Sequence, residues 1–207
     1  MPIDAEKFDR IARTVLRPVY PVIADQIIKR TGITRGAGLD IGCGNGYLGM
    51  ALMALTDLSV SFLDPSRAML DIAQGHTSAQ GFSPRTTIVQ GDVNDIPLPD
   101  NAFQLAVSRG SIFFWQNLST ALQEILRVLS PAGMAYIGGG FGTAALKEEI
   151  SRKMEARDHG TSRWKNKVRR MGTDMRLAFE QALKRAGIVN YDIVHNDEVG
   201  LWIVMTK

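Results

Sequence analysis

A glycine-rich turn is the first segment of this sequence that could bind a ligand. It reads Asp40-Ile-Gly42-Cys-Gly44-Asn-Gly46, and it lies between a short apolar run and a helical pattern of leucines. Glycines at such a turn let the backbone bend sharply and approach a ligand without a Cβ collision. The free amides at the start of the helix favour anionic groups and the oxygens of ribose or carboxylates. The segment therefore predicts a ligand site at the end of a strand.

Three aspartates accompany the turn and favour a cationic ligand that carries a ribose. Asp40 would place a carboxylate beside any pyrophosphate, and the Gly-x-Gly-x-Gly spacing differs from the Gly-x-Gly-x-x-Gly of dinucleotide sites. Asp64, 22 residues after Gly42, ends a second predicted strand, where an acid can bind ribose hydroxyls. Asp92 follows a third predicted strand. Each acid alone could cap a turn, but together with the glycines they predict a binding site. The glycine spacing and Asp40 disfavour a nicotinamide-dependent oxidoreductase.

Alternating strand and helix patterns supply the frame for these residues. Short apolar or β-branched runs predict strands, and apolar residues three or four apart predict helices. The alternation implies an α/β fold whose mostly parallel sheet is covered by helices on both faces. Predicted strands cover 38–41, 58–63, 86–90, 103–107 and 134–137, predicted helices cover 66–80, 121–129 and 174–186, and a hairpin joins 191–194 to 199–205.

We expect residues 1–207 to form one domain, because no linker or internal repeat divides them. Residues 1–31 are predicted as N-terminal helices, broken at Pro18 and Pro21. The start of the chain mixes charges without the apolar run of a secretory signal, and no stretch suits a membrane helix. The single cysteine, Cys43, excludes a disulfide framework and cysteine-based zinc sites. We therefore expect a cytoplasmic protein without a metal site.

Three segments resemble successive motifs of the class I S-adenosylmethionine-dependent methyltransferases, with the small-molecule branch as the best match. They read Gly38-Leu-Asp-Ile-Gly-Cys-Gly-Asn-Gly-Tyr-Leu-Gly49, Asp64-Pro-Ser-Arg-Ala-Met-Leu70 and Gln90-Gly-Asp-Val93. The resemblance implies a Rossmann-like, doubly wound, mostly parallel seven-stranded sheet with an antiparallel C-terminal hairpin strand. It also implies S-adenosyl-L-methionine as the cofactor and S-adenosyl-L-homocysteine as the product.

The resemblance implies roles for residues at the methionine end of the cofactor. The Asp40 carboxylate would face the amino group of the methionine. The backbone of Gly42, Gly44 and Gly46 would run along the methionine and the ribose. Ser108, just after the fourth predicted strand, would lie close to the methionine portion.

The resemblance likewise implies roles at the adenosine end. Asp64 would bind the ribose hydroxyls, and Met69 would flank the adenine. Asp92 would receive the adenine amino group, with the Val93 amide nearby. These residues follow the second and third predicted strands, so the resemblance places the nucleoside at that side of the sheet.

Residues after the fourth predicted strand are expected to face the methyl acceptor. The segment 108–115 reads Ser-Arg-Gly-Ser-Ile-Phe-Phe-Trp and has none of the histidines that many small-molecule relatives carry there. Arg109 could bind an acceptor carboxylate or phosphate, or pair with a nearby acid, and Ser111 is a further catalytic candidate. The aromatic residues 113–115 could wall an apolar or planar acceptor, or pack into the core.

His195 is the third catalytic candidate. It is predicted to lie in the hairpin turn, at the same edge as the cofactor, where a histidine can act as a base near neutral pH. The alternative is a solvated turn residue. His76, by contrast, is predicted as a surface residue at a helix end.

The net charge of +3 conceals a basic segment. Lys and Arg number 24 against 21 Asp and Glu, and 12 of those 24 fall between Gly142 and Gly187. A lid-like insertion is predicted over 142–172, with its basic residues concentrated in 147–170. It could be a pair of solvated helices, a lid over an anionic acceptor hinged at glycines 138–142, or an RNA-binding surface.

These observations predict a methyltransferase that acts on a small molecule, of anionic or aromatic character. Two alternatives stay open: an RNA methyltransferase that uses the basic segment, and a protein that binds S-adenosylmethionine without catalysis. A membrane partner is not expected, and the oligomeric state is not predicted.

Overall fold

A seven-stranded sheet forms the centre of the fold, in a computed structural model that describes residues 4–157, 173–196 and 199–207. The strands are β1 Arg35–Ile41, β2 Asp57–Asp64, β3 Thr86–Gln90, β4 Phe103–Arg109, β5 Leu129–Gly139, β6 Tyr191–Asn196 and β7 Gly200–Thr206. Their order is β3-β2-β1-β4-β5-β7-β6. β1 to β5 are parallel, and β7 is antiparallel to both β5 and β6. The predicted fold class is therefore confirmed.

Helices connect the strands and cover both faces of the sheet. They are α1 Ala5–Ile11, a π-helical turn Ala12–Leu16, α2 Val19–Thr31, α3 Tyr47–Leu55, α4 Arg67–Ala79, α5 Leu118–Val128, α6 Ala144–Arg157 and α7 Thr173–Ala186. The Ser66 hydroxyl caps α4 by accepting the Met69 N–H, as predicted. Within the described ranges, no helix is long and apolar enough to cross a membrane.

The sheet separates two apolar cores, because successive residues of a strand point to opposite faces. Leu39 and Ile41 of β1 pack into the core under α5 and α7. Val60 and Phe62 of β2 pack into the other core, under α2 and α3. Burial of each such side chain contributes about 1.5–3 kcal/mol. Asp40 lies between Leu39 and Ile41 and therefore faces α3, which fixes its direction in the site.

Two predicted element boundaries differ from the structure. Pro18 does precede α2, but Pro21 lies within the first turn of that helix, where a missing N–H costs no hydrogen bond. α5 ends at Val128 and β5 begins at Leu129, so Pro131 lies inside the strand instead of ending the helix. The pairing of β5 with β4 is irregular at that end, and irregular pairing accommodates a proline.

The glycines predicted as a hinge after the fifth strand have a packing role. A Cβ atom at Gly138 would overlap the backbone of Leu201 in β7, and one at Gly140 would overlap the backbone of Val199 just before β7. The Gly142 carbonyl accepts a hydrogen bond from Gln26 Nε2 at 2.6 Å, and its φ of +83° favours glycine. Close contact of β5 with the hairpin and with α2 accounts for these glycines, and the hinge stays a prediction.

The predicted basic insertion 142–172 is described only as far as Arg157. Within it, α6 carries four basic and three acidic residues, and Lys153 pairs with Glu149 on the helix surface. This described part is a helix of mixed charge. Residues 158–172, which include the predicted run of cations with Trp164, lie outside the described residues.

Candidate functional site

The glycine-rich turn lies at the carboxyl end of β1 and leads into α3. Gly42, Gly44 and Gly46 have φ angles of +61°, +52° and +79°, a backbone conformation that costs other residues about 1–2 kcal/mol. Gly46 forms the N-cap of α3. The Cys43 N–H donates to the Leu63 carbonyl at 3.0 Å and thereby fixes the turn to β2. The backbone conformation accounts for all three glycines.

The protein itself occupies the space beside two of these glycines. A Cβ atom at Gly42 would overlap the Ser111 side chain, and one at Gly46 would lie 3.1 Å from the Phe62 ring. At Gly44 the nearest atom belongs to Phe8, at 3.4 Å. The sequence predicts glycine here because a ligand would approach the backbone closely. At Gly42 and Gly46 the close approach is to protein side chains.

The Gly42→Ala variant should lose about 2–5 kcal/mol of the free energy of unfolding, since the left-handed conformation and the overlap with Ser111 both add cost. Gly81→Ala is the matched control, because Gly81 has a φ of +75° with no atom within 4 Å of its Cβ position. It should lose only about 1–2 kcal/mol. Urea denaturation followed by circular dichroism measures both. Equal losses would contradict the role of the Ser111 contact.

Asp40 is the most deeply buried carboxylate of the site. It is 2% exposed, and Oδ2 accepts the Gly49 N–H at 2.9 Å. Burial is the main cause that raises the pKa of this carboxyl from 3.8 to about 7; the Gly49 N–H opposes the rise, and Asp64 adds to it. No cationic side chain of the described residues pairs with it. A cationic ligand would supply the missing counter-charge.

Asp64 ends β2 and shapes both neighbouring turns. Its Oδ2 accepts the Gly44 N–H and its Oδ1 accepts the Ser66 N–H, each at 2.9 Å. Burial raises the pKa of the Asp64 carboxyl, while the Ser66 and Gly44 amides oppose the rise. Each carboxylate oxygen can accept more than one hydrogen bond, so the carboxylate retains capacity for ligand hydroxyls.

Asp92 and its neighbours follow β3. The exposed Asp92 carboxylate accepts the backbone N–H of Asn94 at 2.8 Å and its side-chain amide at 2.9 Å. Val93 is buried beside it, and Met69 is buried in α4. Because β1, β2 and β3 are adjacent and parallel, Asp40, Asp64 and Asp92 lie at one edge of the sheet. The structure thus brings the three predicted acids together.

Two serines connect the end of β4 to the glycine turn. Ser111 Oγ donates to the Ile41 carbonyl at 3.1 Å. Because that bond uses its only proton, the fully buried Ser108 must be the donor in the hydrogen bond between the two hydroxyls. Both predicted serines therefore lie beside the turn, and both hydroxyl protons are engaged within the protein.

Arg109 ends β4 and lies among aromatic rings instead of beside an acid. Its guanidinium carbon is 5.3 Å from the centre of the Tyr20 ring and 5.9 Å from that of Phe141. Nε donates to the Gly140 carbonyl at 3.1 Å. Within the described ranges no ion pair with a carboxylate is formed. The predicted alternative of an acid partner is thus not found there.

Comparison with known proteins identifies the family. A crystal structure from Methanococcus maripaludis, assigned to the S-adenosyl-L-methionine-dependent methyltransferases, is 42% identical, with a TM-score of 0.93 over 98% of this chain and 91% of that chain. The "Methyltransferase domain" family matches residues 39–137. The chain belongs to the class I S-adenosylmethionine-dependent methyltransferases.

Curated relatives that match part of this chain include methyltransferases named for quinone-type compounds. The rice (Oryza sativa subsp. japonica) 2-methyl-6-phytyl-1,4-hydroquinone methyltransferase 2, chloroplastic, is 32% identical over 49% of this chain and 28% of its own length. The demethylmenaquinone methyltransferase of Staphylococcus aureus is 27% identical over 63% of this chain and 54% of its own. The match spans about half of the relatives' length or less.

An acidic residue that the sequence did not indicate connects α1 of the methyltransferase to the glycine turn. Asp9 Oδ1 accepts the Asn45 side-chain amide at 2.7 Å and the Tyr47 hydroxyl at 3.2 Å, and His76 Nε2 lies 3.6 Å away. His76 Nδ1 also contacts the Asn45 carbonyl at 3.2 Å. His76 lies in the last turn of α4, as predicted, but its side chain is only 26% exposed because its ring packs between the turn and α1.

His195 lies in β6 of the methyltransferase instead of in the hairpin turn. It pairs with Leu201 of β7, and its side chain is exposed. β6 runs parallel to β5, so its end does reach the edge predicted for the site. However, β4, β5 and β7 separate it from β1, about 19 Å at the usual strand spacing. The structure does not bring His195 together with the glycine turn.

The aromatic residues after β4 divide between the two predicted roles. Phe113 and Trp115 pack against the core under α5 and α7. Phe114 is 65% exposed. Of the three rings, Phe114 is the one that the core does not cover.

Proposed function

We propose that this protein transfers a methyl group from S-adenosylmethionine to a small-molecule acceptor in the cytoplasm. One observation carries the proposal: three aspartates at the ends of adjacent strands surround a glycine turn, and the buried Asp40 lacks a counter-cation in the described part of the chain. Such a site suits a ligand with a positive charge next to a ribose. The bound cofactor would supply an electrophilic methyl group on a sulfonium.

We assign the methionine end of the cofactor to Asp40, the backbone of Gly42, Gly44 and Gly46, and Ser108. The Asp40 carboxylate would hold the ammonium group, and the buried position would strengthen that attraction. The glycine amides would bind the part of the cofactor that lies between its methionine carboxylate and its ribose. Ser108 would limit the space near the methionine portion, since its hydroxyl is held by Ser111.

We assign the adenosine end to Asp64, Met69, Asp92 and Val93. Asp64 would accept the ribose hydroxyls while it keeps the Gly44 amide in place. Met69 would pack on the adenine, Asp92 would accept the adenine amino group, and the Val93 amide would lie nearby. Alignment of a cofactor that is already activated is the main contribution that these groups would make to the rate.

A small, anionic or aromatic acceptor suits the residues that follow β4. Arg109 offers a positive charge and Phe114 an exposed ring at that end of the sheet, and relatives matched over part of their length are named for quinone-type substrates. The free thiol of Cys43 fits a reducing compartment. An RNA acceptor draws no support from α6, whose described surface is of mixed charge.

The cofactor assignment is tested by thermal unfolding. S-adenosylhomocysteine at about 100 times its Kd should raise Tm by about 5–10 °C, since it adds about 2.7 kcal/mol to the stability of a chain this long. NAD at the same concentration should leave Tm unchanged. A rise with NAD alone would refute the assignment.

The acceptor class is tested with methyl-labelled S-adenosylmethionine and a cell extract separated into small-metabolite and RNA fractions. Label among small metabolites is the expected result, and heat-treated protein is the control. Nuclease-sensitive label in the RNA fraction would support the RNA alternative instead. Cofactor binding without label in either fraction would support a protein that binds the cofactor without catalysis.

A further inference from the structure

Arg109 is a cation without a counter-ion in the described part of the chain. Of its five N–H groups, the structure gives a protein acceptor to the one on Nε, which donates to the Gly140 carbonyl. Burial lowers the pKa of the guanidinium, and Tyr20 is the neighbouring group that opposes this change. A partly buried charge without a partner is costly. The four Nη hydrogens are therefore available to an anion.

Tyr20 supplies a second unpartnered donor beside Arg109. The residue is 8% exposed, its ring is stacked on Tyr47 at 5.2 Å, and the guanidinium of Arg109 lies over it. Its hydroxyl makes no hydrogen bond to any of the described residues, and its oxygen is not among the fully buried polar atoms that lack a partner, so it is open to solvent or to a ligand. Two independent groups, one on β4 and one on α2, thus lack the same kind of partner.

Arg109 and Tyr20 lie near the end of the proposed site at which the methyl group would be transferred. β4 is next to β1, with Val107 paired to Asp40, and Arg109 lies two residues further toward the carboxyl edge. The Nε bond to Gly140 holds the guanidinium on the β5 side of β4, and the Tyr20 ring beside it stacks on Tyr47, the first residue after the glycine turn. The rings of Tyr20 and Phe141 restrict its rotation and leave its planar fork in a fixed direction.

We infer that Arg109 and Tyr20 form a subsite for a carboxylate group, an inference that rests on the proposed function. A planar guanidinium fork binds both oxygens of a carboxylate, and one cation with one hydroxyl matches a single negative charge. The carboxylate could belong to the methyl acceptor or to the methionine end of the cofactor. The position of the guanidinium on the β5 side favours the acceptor.

The test uses benzoate and its neutral analogue benzamide, titrated calorimetrically into protein saturated with S-adenosylhomocysteine. Benzoate should bind at least tenfold more tightly than benzamide. Arg109→Gln should abolish that preference, Tyr20→Phe should reduce it severalfold, and Arg109→Lys should restore part of it. Arg176→Gln, which removes an exposed arginine paired with Glu180 on α7, is the matched control and should behave as the wild type.

A second titration identifies the source of the carboxylate. Arg109→Gln should bind both S-adenosylhomocysteine and 5′-methylthioadenosine, which lacks the carboxylate, as tightly as the wild type if the subsite serves the acceptor. A tenfold loss for S-adenosylhomocysteine alone would assign the subsite to the cofactor. The inference is overturned if Arg109→Gln changes neither the benzoate preference nor the affinity for S-adenosylhomocysteine.

The proposed function and this inference fail in different ways. If wild-type protein does not bind S-adenosylhomocysteine, the proposed function fails, and the benzoate titration of the ligand-free protein still decides whether Arg109 binds a carboxylate. Thermal unfolding of each variant shows that it is folded before it is titrated.

Discussion

The Asp64→Ala variant should bind S-adenosylhomocysteine about a hundredfold more weakly than the wild type. The substitution removes a carboxylate proposed to accept ribose hydroxyls, and a hydrogen bond to a charged group contributes about 1.5–3 kcal/mol. It also removes the acceptor of the Gly44 and Ser66 amides, so the glycine turn loses a contact that defines its shape. Isothermal titration calorimetry measures the affinity.

Asp57→Ala is the matched control for Asp64→Ala. Asp57 begins the same strand, but it is exposed and lies at the opposite edge of the sheet, so the affinity should change less than twofold. Urea denaturation of the ligand-free proteins separates lost binding from lost folding. An Asp64→Ala variant that folds and binds the cofactor as the wild type does would refute the assignment.

Local patterns in the sequence are sufficient to predict the fold and to place the glycine turn and the three aspartates at one edge of the sheet. The turn from 40 to 46 and the aspartates at positions 64 and 92 each follow a strand, and parallel strands bring their carboxyl ends to one edge. That placement depends on chain order and strand direction, which the alternation of strands and helices already indicates. The three acids are therefore found where the sequence predicted them.

Contacts between distant segments could not be predicted in this way. Asp9 contacts Asn45 and Tyr47 from a helix more than thirty residues earlier in the chain. The spacing of apolar residues along the sequence does not indicate a contact between such distant polar side chains. The sequence predicts that His195 lies at the carboxyl edge of the sheet, but the strand order puts it on the outermost strand, β6. The side chains beside Gly42 were also unpredictable, because Ser111 arrives there through the packing of another strand.

The charges of the site are distributed unequally along the sheet edge. Carboxylates surround the turn at β1, β2 and β3, whereas the guanidinium of Arg109 lies at β4 on the side of β5. An acidic half attracts the ammonium and sulfonium of the proposed cofactor, and a cationic position beyond it attracts an anionic group. This separation of charges gives the cofactor and the acceptor distinct binding positions. Because the opposite charges nearly cancel in the total, the net charge of the chain indicates the character of neither ligand.

The pH dependence of Asp40→Asn should separate the role of Asp40 in stability from its role in binding. Because the pKa in the folded protein is about 7 and the ordinary value is 3.8, the folded state binds more protons than the unfolded state between these two values. The free energy of unfolding of the ligand-free wild type should therefore fall as the pH rises from about 4 to about 7, by up to about 4 kcal/mol. Above pH 7 the contribution of Asp40 stays constant.

Asp40→Asn should lack this dependence, since its amide oxygen can still accept the Gly49 N–H without a charge. At pH 8 the ligand-free variant should thus be more stable than the wild type in urea, whereas at pH 4.5 the two should be similar. Binding should change in the opposite direction, because an amide cannot neutralise an ammonium group. At pH 8 we expect S-adenosylhomocysteine to bind at least tenfold more weakly to Asp40→Asn.

The affinity of the wild type should rise about tenfold per pH unit between pH 5 and 7, as the proton leaves Asp40 in favour of the ligand cation, and should be constant above that range. The affinity of Asp40→Asn should not change across the same range. A variant that is less stable at pH 8 and still binds the cofactor normally would mean that Asp40 supports the fold alone. If Asp40→Asn instead gains stability at pH 8 and loses affinity for S-adenosylhomocysteine, the carboxylate of Asp40 destabilises the ligand-free protein and serves to bind a positive charge. The described residues do not provide that charge, so the ligand must.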